Sequence, residues 1–200
     1  MKKLILLAAA ATSLFASSSF AELAVGGYLG VNQAQISGNI PDGNVAGKNG
    51  SEYGALFLMP FFPTLSLRFS LAQKVRKTQL HDTVHFGVDV PFDVSENLND
   101  FGIGIQWDLP VTDLYVMGGA KISSSQSITC STNTDYGIAV GNCTKTPTDY
   151  PVYVGVGYNL FSLALVHFSF EGEYERGSAA SFDGAKNGAL TGRFIVKVGL

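Results

Sequence analysis

His167 and Ser169 stand two residues apart, and Glu171 and Glu173 continue the same spacing. On a strand, residues two apart share a face. A histidine and a serine on one face, with a carboxylate to orient the imidazole, are the parts of an acyl-transfer site. A second set lies upstream, where His81, His85, Asp89 and Asp93 are spaced by four. Extended, its successive members stand about 13 Å apart at ~3.3 Å per residue. A metal would need ligands converging from elsewhere, so a solvated loop face is the expectation. No metal and no cofactor is expected. Gly102-x-Gly104 and Gly155-x-Gly157 lead into no helix and are not phosphate loops. Asp42-Gly43 and Asn49-Gly50 are turn signals.

The elements that would carry these residues are strands. Eight segments alternate with a period of two, from about Leu23–Gln35, Glu52–Met59, Leu65–Arg76 and Asp100–Leu109 to Asp113–Ser123, Tyr150–Leu160, Leu163–Tyr174 and Leu190–Leu200. The third is the cleanest: Leu65, Leu67, Phe69 and Leu71 oppose Ser66, Arg68, Ser70 and Lys74. The last runs to the C-terminus on its apolar phase, which points to a sheet that closes there.

Met1 to Ala21 reads as a signal peptide. Lys2 and Lys3 precede an apolar run, and Ser19-Phe20-Ala21 puts small residues where a signal peptidase reads. Cleavage between Ala21 and Glu22 is expected, leaving residues 22–200 as one domain of about 179 residues. Without Lys2 and Lys3, 11 of the 13 basic residues remain against 16 acidic, a net charge of −5. That balance opposes nucleic-acid binding, which needs a basic patch. No later stretch approaches the ~20 apolar residues of a membrane helix. Yet the chain is 46% hydrophobic and 14% charged, with the apolar residues in alternating runs. An exported chain meets an oxidising compartment, so Cys130 and Cys143 are expected to pair. A bridge closing about 14 residues would contribute roughly 3 kcal/mol.

Connection lengths alternate as well. Short turns fall at 60–63, 110–112 and 161–162, and long polar connections at about 37–51, 77–99, 124–149 and 175–188. This is the pattern of a transmembrane barrel, with turns in the periplasm and loops outside. Val84, Phe86, Val88, Val90, Phe92 and Val94 also alternate. As a ninth strand they would put the C-terminus outside, so they are read as part of the second outer loop. Pro91 within them suits an edge rather than a central strand.

In hydrocarbon every backbone polar group needs a partner, so the sheet must close. The apolar face then meets lipid and the mixed face lines the interior. Glycines 26, 30, 102, 104, 155 and 157 fall on the inward phase and make room in a narrow lumen. Arg68, Lys74, Arg76, Lys121, Glu171, Arg193 and Lys197 also point inward and need partners. Together with His167 they form an expected interior polar network. Aligning the last hairpin sets Glu171 opposite Arg193, with an ion pair expected, and His167 opposite Lys197. Trp107, Phe161, Phe61, Phe62 and Tyr158 lie at turn ends, where an interfacial aromatic girdle belongs.

On the signal, the alternation, the loop asymmetry and the ending Phe194-Ile195-Val196-Lys197-Val198-Gly199-Leu200, the mature chain resembles the small eight-stranded outer-membrane barrels of the OmpA-barrel, OmpX and OmpW type. The family's last strand usually ends in an aromatic residue, and this one ends in Leu200. The resemblance implies an all-β, antiparallel, eight-stranded transmembrane barrel in a Gram-negative outer membrane. It implies contact with outer-membrane lipid and lipopolysaccharide, and recognition of the C-terminal strand by the assembly machinery. A monomer is expected. His167-x-Ser169 is also similar to a motif of the lipid A deacylase barrels. Here the register points both residues inward, away from lipid, and that family's acid lies further along the chain. The expected role is structural or a surface interaction carried by the outer loops, without enzymatic activity. A narrow, porin-like path for small or apolar solutes is the alternative, and a lipid A acyl hydrolase is the remote one.

Overall fold

A computed structural model describes residues 23–37, 43–82, 90–132, 146–182 and 185–200. The signal segment and its cleavage point lie outside them. The described residues form eight strands: β1 Ala24–Ser37, β2 Gly43–Phe62, β3 Leu65–Asp82, β4 Val90–Asp108, β5 Leu114–Thr132, β6 Val152–Leu163, β7 Val166–Phe182 and β8 Ala185–Gly199. Each pairs antiparallel with the next, and β8 returns to β1 to close the barrel. The Leu200 amide donates to the Leu23 carbonyl at 2.8 Å, which completes the seam.

The interior and exterior are inverted relative to a soluble protein. Arg68, Lys74, Glu52, Glu173 and Glu175 are fully buried. Leu29, Leu71, Val152, Val154, Phe170 and Leu190 are exposed on the outside, each by half or more. Burying those charges inside while leaving that belt bare makes sense only if the belt meets hydrocarbon. Trp107, Phe61, Phe62, Phe161 and Tyr158 face outward near the turn ends.

The three short turns lie on one side; the one read at 110–112 spans 109–113, and the other two are shifted in position. Pro60, Phe61 and Phe62 belong to β2, and the turn is Pro63-Thr64. Phe161 and Ser162 belong to β6, and the turn there is Ala164-Leu165, with Ala164 at φ 53°.

The outer connections need a larger correction. The segments 37–51, 77–99 and 175–188, read as long loops, are mostly strand, and 124–149 is strand as far as Thr132. β2 begins at Gly43, β3 continues to Asp82, β5 to Thr132 and β7 to Phe182. From Arg76 to Asp82, β3 runs about 20 Å further than that reading at ~3.3 Å per residue. Above the lipid both faces of a strand meet polar surroundings, so no hydrophobic period marks it. Irregularities at Lys48/Glu52, Asn97/Leu98 and Arg176/Ala180 break the alternation further.

The segment around Pro91 is not a ninth strand. Val90 to Val94 open β4, while 83–89 lie outside the described residues. Pro91 pairs with His81 of β3, and the ladder to β5 begins one residue later, at Phe92↔Thr132. Its missing N–H therefore falls where β4 has a described neighbour on one side only.

Candidate functional site in the barrel lumen

The lumen is crossed by ion pairs. Arg68 on β3 and Glu171 on β7 project from opposite sides of the eight-strand ring. Both terminal guanidinium nitrogens donate to the two carboxylate oxygens, each at 2.7 Å. Gln106 accepts a further bond from Arg68 at 3.1 Å, and the Tyr115 hydroxyl donates to Glu171 at 2.8 Å. Two bonds in parallel fix both planes as well as the distance.

A second layer lies above. Arg193 on β8 donates to both oxygens of Glu173, at 2.6 and 2.7 Å, and to Glu52 at 3.0 Å. Lys121 on β5 bonds Glu173 and, at 2.9 Å, Glu175. Lys74 on β3 reaches across to Glu175. Four cations thus engage four glutamates, and each of these eight buried charges has an opposite within contact, as burial requires.

Three inward tyrosines complete the packing. Arg193 lies 5.1 Å from the Tyr28 ring centroid, Lys121 5.1 Å from that of Tyr153, and Lys197 5.1 Å from that of Tyr115. Their rings lie over glycines of other strands. A Cβ on Gly54 would come within 2.7 Å of the Tyr28 ring, and one on Gly157 would collide with the Tyr115 ring. Gly157 is on the inward phase for this close approach rather than for an unusual backbone angle.

Arg68, Lys74, Arg76, Lys121, Glu171, Arg193 and Lys197 are buried, and His167 is half-buried. Glu171 and Arg193 are register partners, and their side chains approach to 3.9 Å. Each nevertheless has tighter partners: Arg68 for Glu171, and Glu173 and Glu52 for Arg193. His167 is the register partner of Lys197, but its Nδ1 contacts Ser162 Oγ at 2.7 Å. Lys197 donates to Asn159 at 3.3 Å. Sequence reasoning missed Glu52, Glu175 and Asp100 as interior groups. The signal was present in Glu171-x-Glu173-x-Glu175, three carboxylates on one face that require three cations. Ending the seventh strand at Tyr174 hid the last.

The acyl-transfer set is not assembled. Ser169 is fully buried on the lumen side. Glu171 and Glu173, the carboxylates that would orient His167, are held by arginines and Lys121. Of the upstream set, Asp93 bonds Lys48 on the outer wall at 2.5 Å. His85 and Asp89 lie outside the described residues, as does Cys143. Among the described residues no group of three or more His, Cys, Asp or Glu could hold a metal ion.

At the outer end, chain that precedes β6 contacts β4, β5 and β7. The Thr146 hydroxyl donates to Glu96, which lies 3.7 Å from Arg76. Asp149 pairs with Ser123 of β5 and accepts from the Ser178 amide of β7 at 2.8 Å. Residues 146–151 thereby connect β5 to β7 where β6 has ended.

The profile of the outer membrane protein β-barrel domain matches residues 4–199. The chain belongs to that family. It is therefore an outer-membrane barrel of a Gram-negative bacterium, as the belt of exposed apolar residues requires. No curated protein matches the chain. Similar solved structures include Ail, the attachment invasion locus protein of Yersinia pestis, in complex with the heparin analogue sucrose octasulfate. It is 15% identical with a TM-score of 0.46, covering 88% of this chain and 99% of that one. OprG of Pseudomonas aeruginosa is 10% identical with a TM-score of 0.48, covering 90% and 94%. Neisserial surface protein A is 14% identical with a TM-score of 0.49, covering 88% and 99%.

Proposed function

We propose that this barrel is a surface-interaction protein whose lumen is closed, and that its activity lies in the outer wall and loops. One observation carries the reading: Arg68 and Glu171 join opposite walls of the lumen through two hydrogen bonds. A filled interior leaves the tall outer strands as the part available to partners. β3, β4 and β5 extend to Asp82, Val90 and Thr132, well beyond the apolar belt, and such a rigid scaffold suits binding segments. On this reading the chain is exported by cleavage between Ala21 and Glu22. Its C-terminal strand is read by the assembly machinery, it acts as a monomer, and a Cys130–Cys143 bridge staples the third loop.

The test uses cells displaying the full chain or a chain with 133–145 replaced by a two-glycine turn. Adhesion to an epithelial monolayer should fall in the shortened form while its heat-modifiable gel mobility persists. Equal adhesion by both forms, and by cells lacking the protein, would contradict the proposal.

A further inference from the structure

The wall of β2–β5 carries a groove of about 620 Å³. Two consecutive outward rows of cross-strand neighbours define it. The upper row is Tyr53↔Gln73↔Asn99↔Ser124, and every member can hydrogen-bond. The lower row is Ala55↔Leu71↔Phe101↔Ile122, and every member is apolar. Leu71, Phe101 and Ile122 are exposed by 60%, 46% and 46%. The groove thus follows the line where the apolar belt gives way to polar wall. Gly54 and Ala72 also line it.

Charge lies above it on the same face. Lys77 is two outward positions beyond Gln73 and is the register partner of Lys48. Like charges directly opposite are unfavourable in a ladder unless an anion offsets them. Asp93 bridges Lys48 at 2.5 Å, so these three residues retain one positive charge in excess. From bottom to top the wall therefore offers an apolar trough, a row of neutral hydrogen-bonding groups, and a net cation about 13 Å above the row at ~3.3 Å per residue.

We propose that this face binds one molecule of lipopolysaccharide from the outer leaflet. An acyl chain would lie over Leu71, Phe101 and Ile122. Sugar hydroxyls and amides would meet Gln73, Asn99 and Ser124, and a phosphate would meet Lys77 and Lys48. The neutral polar row selects this occupant over a phospholipid. A glycerophospholipid presents its phosphate directly above its chains, whereas a phosphorylated sugar head fills the interval between trough and cation.

The test is native mass spectrometry of the full mature chain, refolded and placed in phosphatidylethanolamine–phosphatidylglycerol nanodiscs doped with deep-rough lipopolysaccharide. Wild type should retain one lipopolysaccharide. A Gln73→Leu/Asn99→Leu variant should lose it. Lys77→Glu, which lies above the belt and leaves barrel folding intact, should weaken retention about fivefold or more, as expected for one charge-assisted contact. Gln33→Leu, on the outer face of β1, serves as the control and should match wild type. Heat-modifiable mobility verifies folding of each. Equal retention by wild type, Lys77→Glu and the control would overturn the proposal. So would retention of phosphatidylglycerol as strong as that of lipopolysaccharide.

Discussion

Arg68 on β3 and Glu171 on β7 are 103 residues apart in sequence and share two hydrogen bonds of 2.7 Å across the lumen. Neither residue is on a strand adjacent to the other's. The pair therefore behaves as a strut between opposite walls, which register-neighbour contacts cannot supply.

A strut of this kind makes its two ends interdependent. Removing one partner leaves a buried charge, at a cost of about 3–5 kcal/mol. Arg68→Ala and Glu171→Ala should each lower the urea midpoint of the refolded barrel by a comparable amount. The Arg68→Ala/Glu171→Ala double substitution should cost less than the sum of the two. Urea titration followed by gel mobility gives the cycle, and strict additivity would show that the two residues do not couple.

Gly157 is open to a sharper test, because a Cβ there collides with the Tyr115 ring. Gly157→Val should destabilise by about 1–3 kcal/mol through forced displacement of that ring. Combining it with Tyr115→Ala should recover part of the loss. Gly192, whose added Cβ meets nothing within 4 Å, should accept alanine with little change in the same titration.

Cys130 stands near the outer end of β5, opposite Val94, with Cys143 further along the same connection. Reduction should slow the migration of the unfolded, thiol-capped chain on a denaturing gel. Cys130→Ser/Cys143→Ser should lower stability by roughly 3 kcal/mol or less, because the loop is short. Identical migration with and without reductant would exclude the bridge.

The membrane half of this barrel was legible in the sequence because lipid imposes a period of two on every strand that crosses it. Leu65 to Leu71 and Phe194 to Val198 illustrate that rule, and the closed order of strands follows from it. The outer half was illegible for the same reason. Residues such as Ser125, Ser127 and Thr129 sit in a paired strand, but polar surroundings on both sides leave no alternation to detect. The interior was partly legible. Alternation identified Arg68, Lys121, Glu171 and Arg193 as inward, and hairpin register aligned Glu171 with Arg193. It did not reveal that Arg68 is the closer partner, because strand tilt and barrel closure decide which inward residues share a level.

Single-channel recording in planar bilayers tests the closed lumen most directly. The wild-type barrel is expected to give no steady conductance steps above the lipid baseline. Arg68→Ala/Lys121→Ala, which removes cations from both ion-pair layers, should introduce small ones. Steady, ohmic conductance from the wild-type barrel would contradict a lumen closed by these ion pairs.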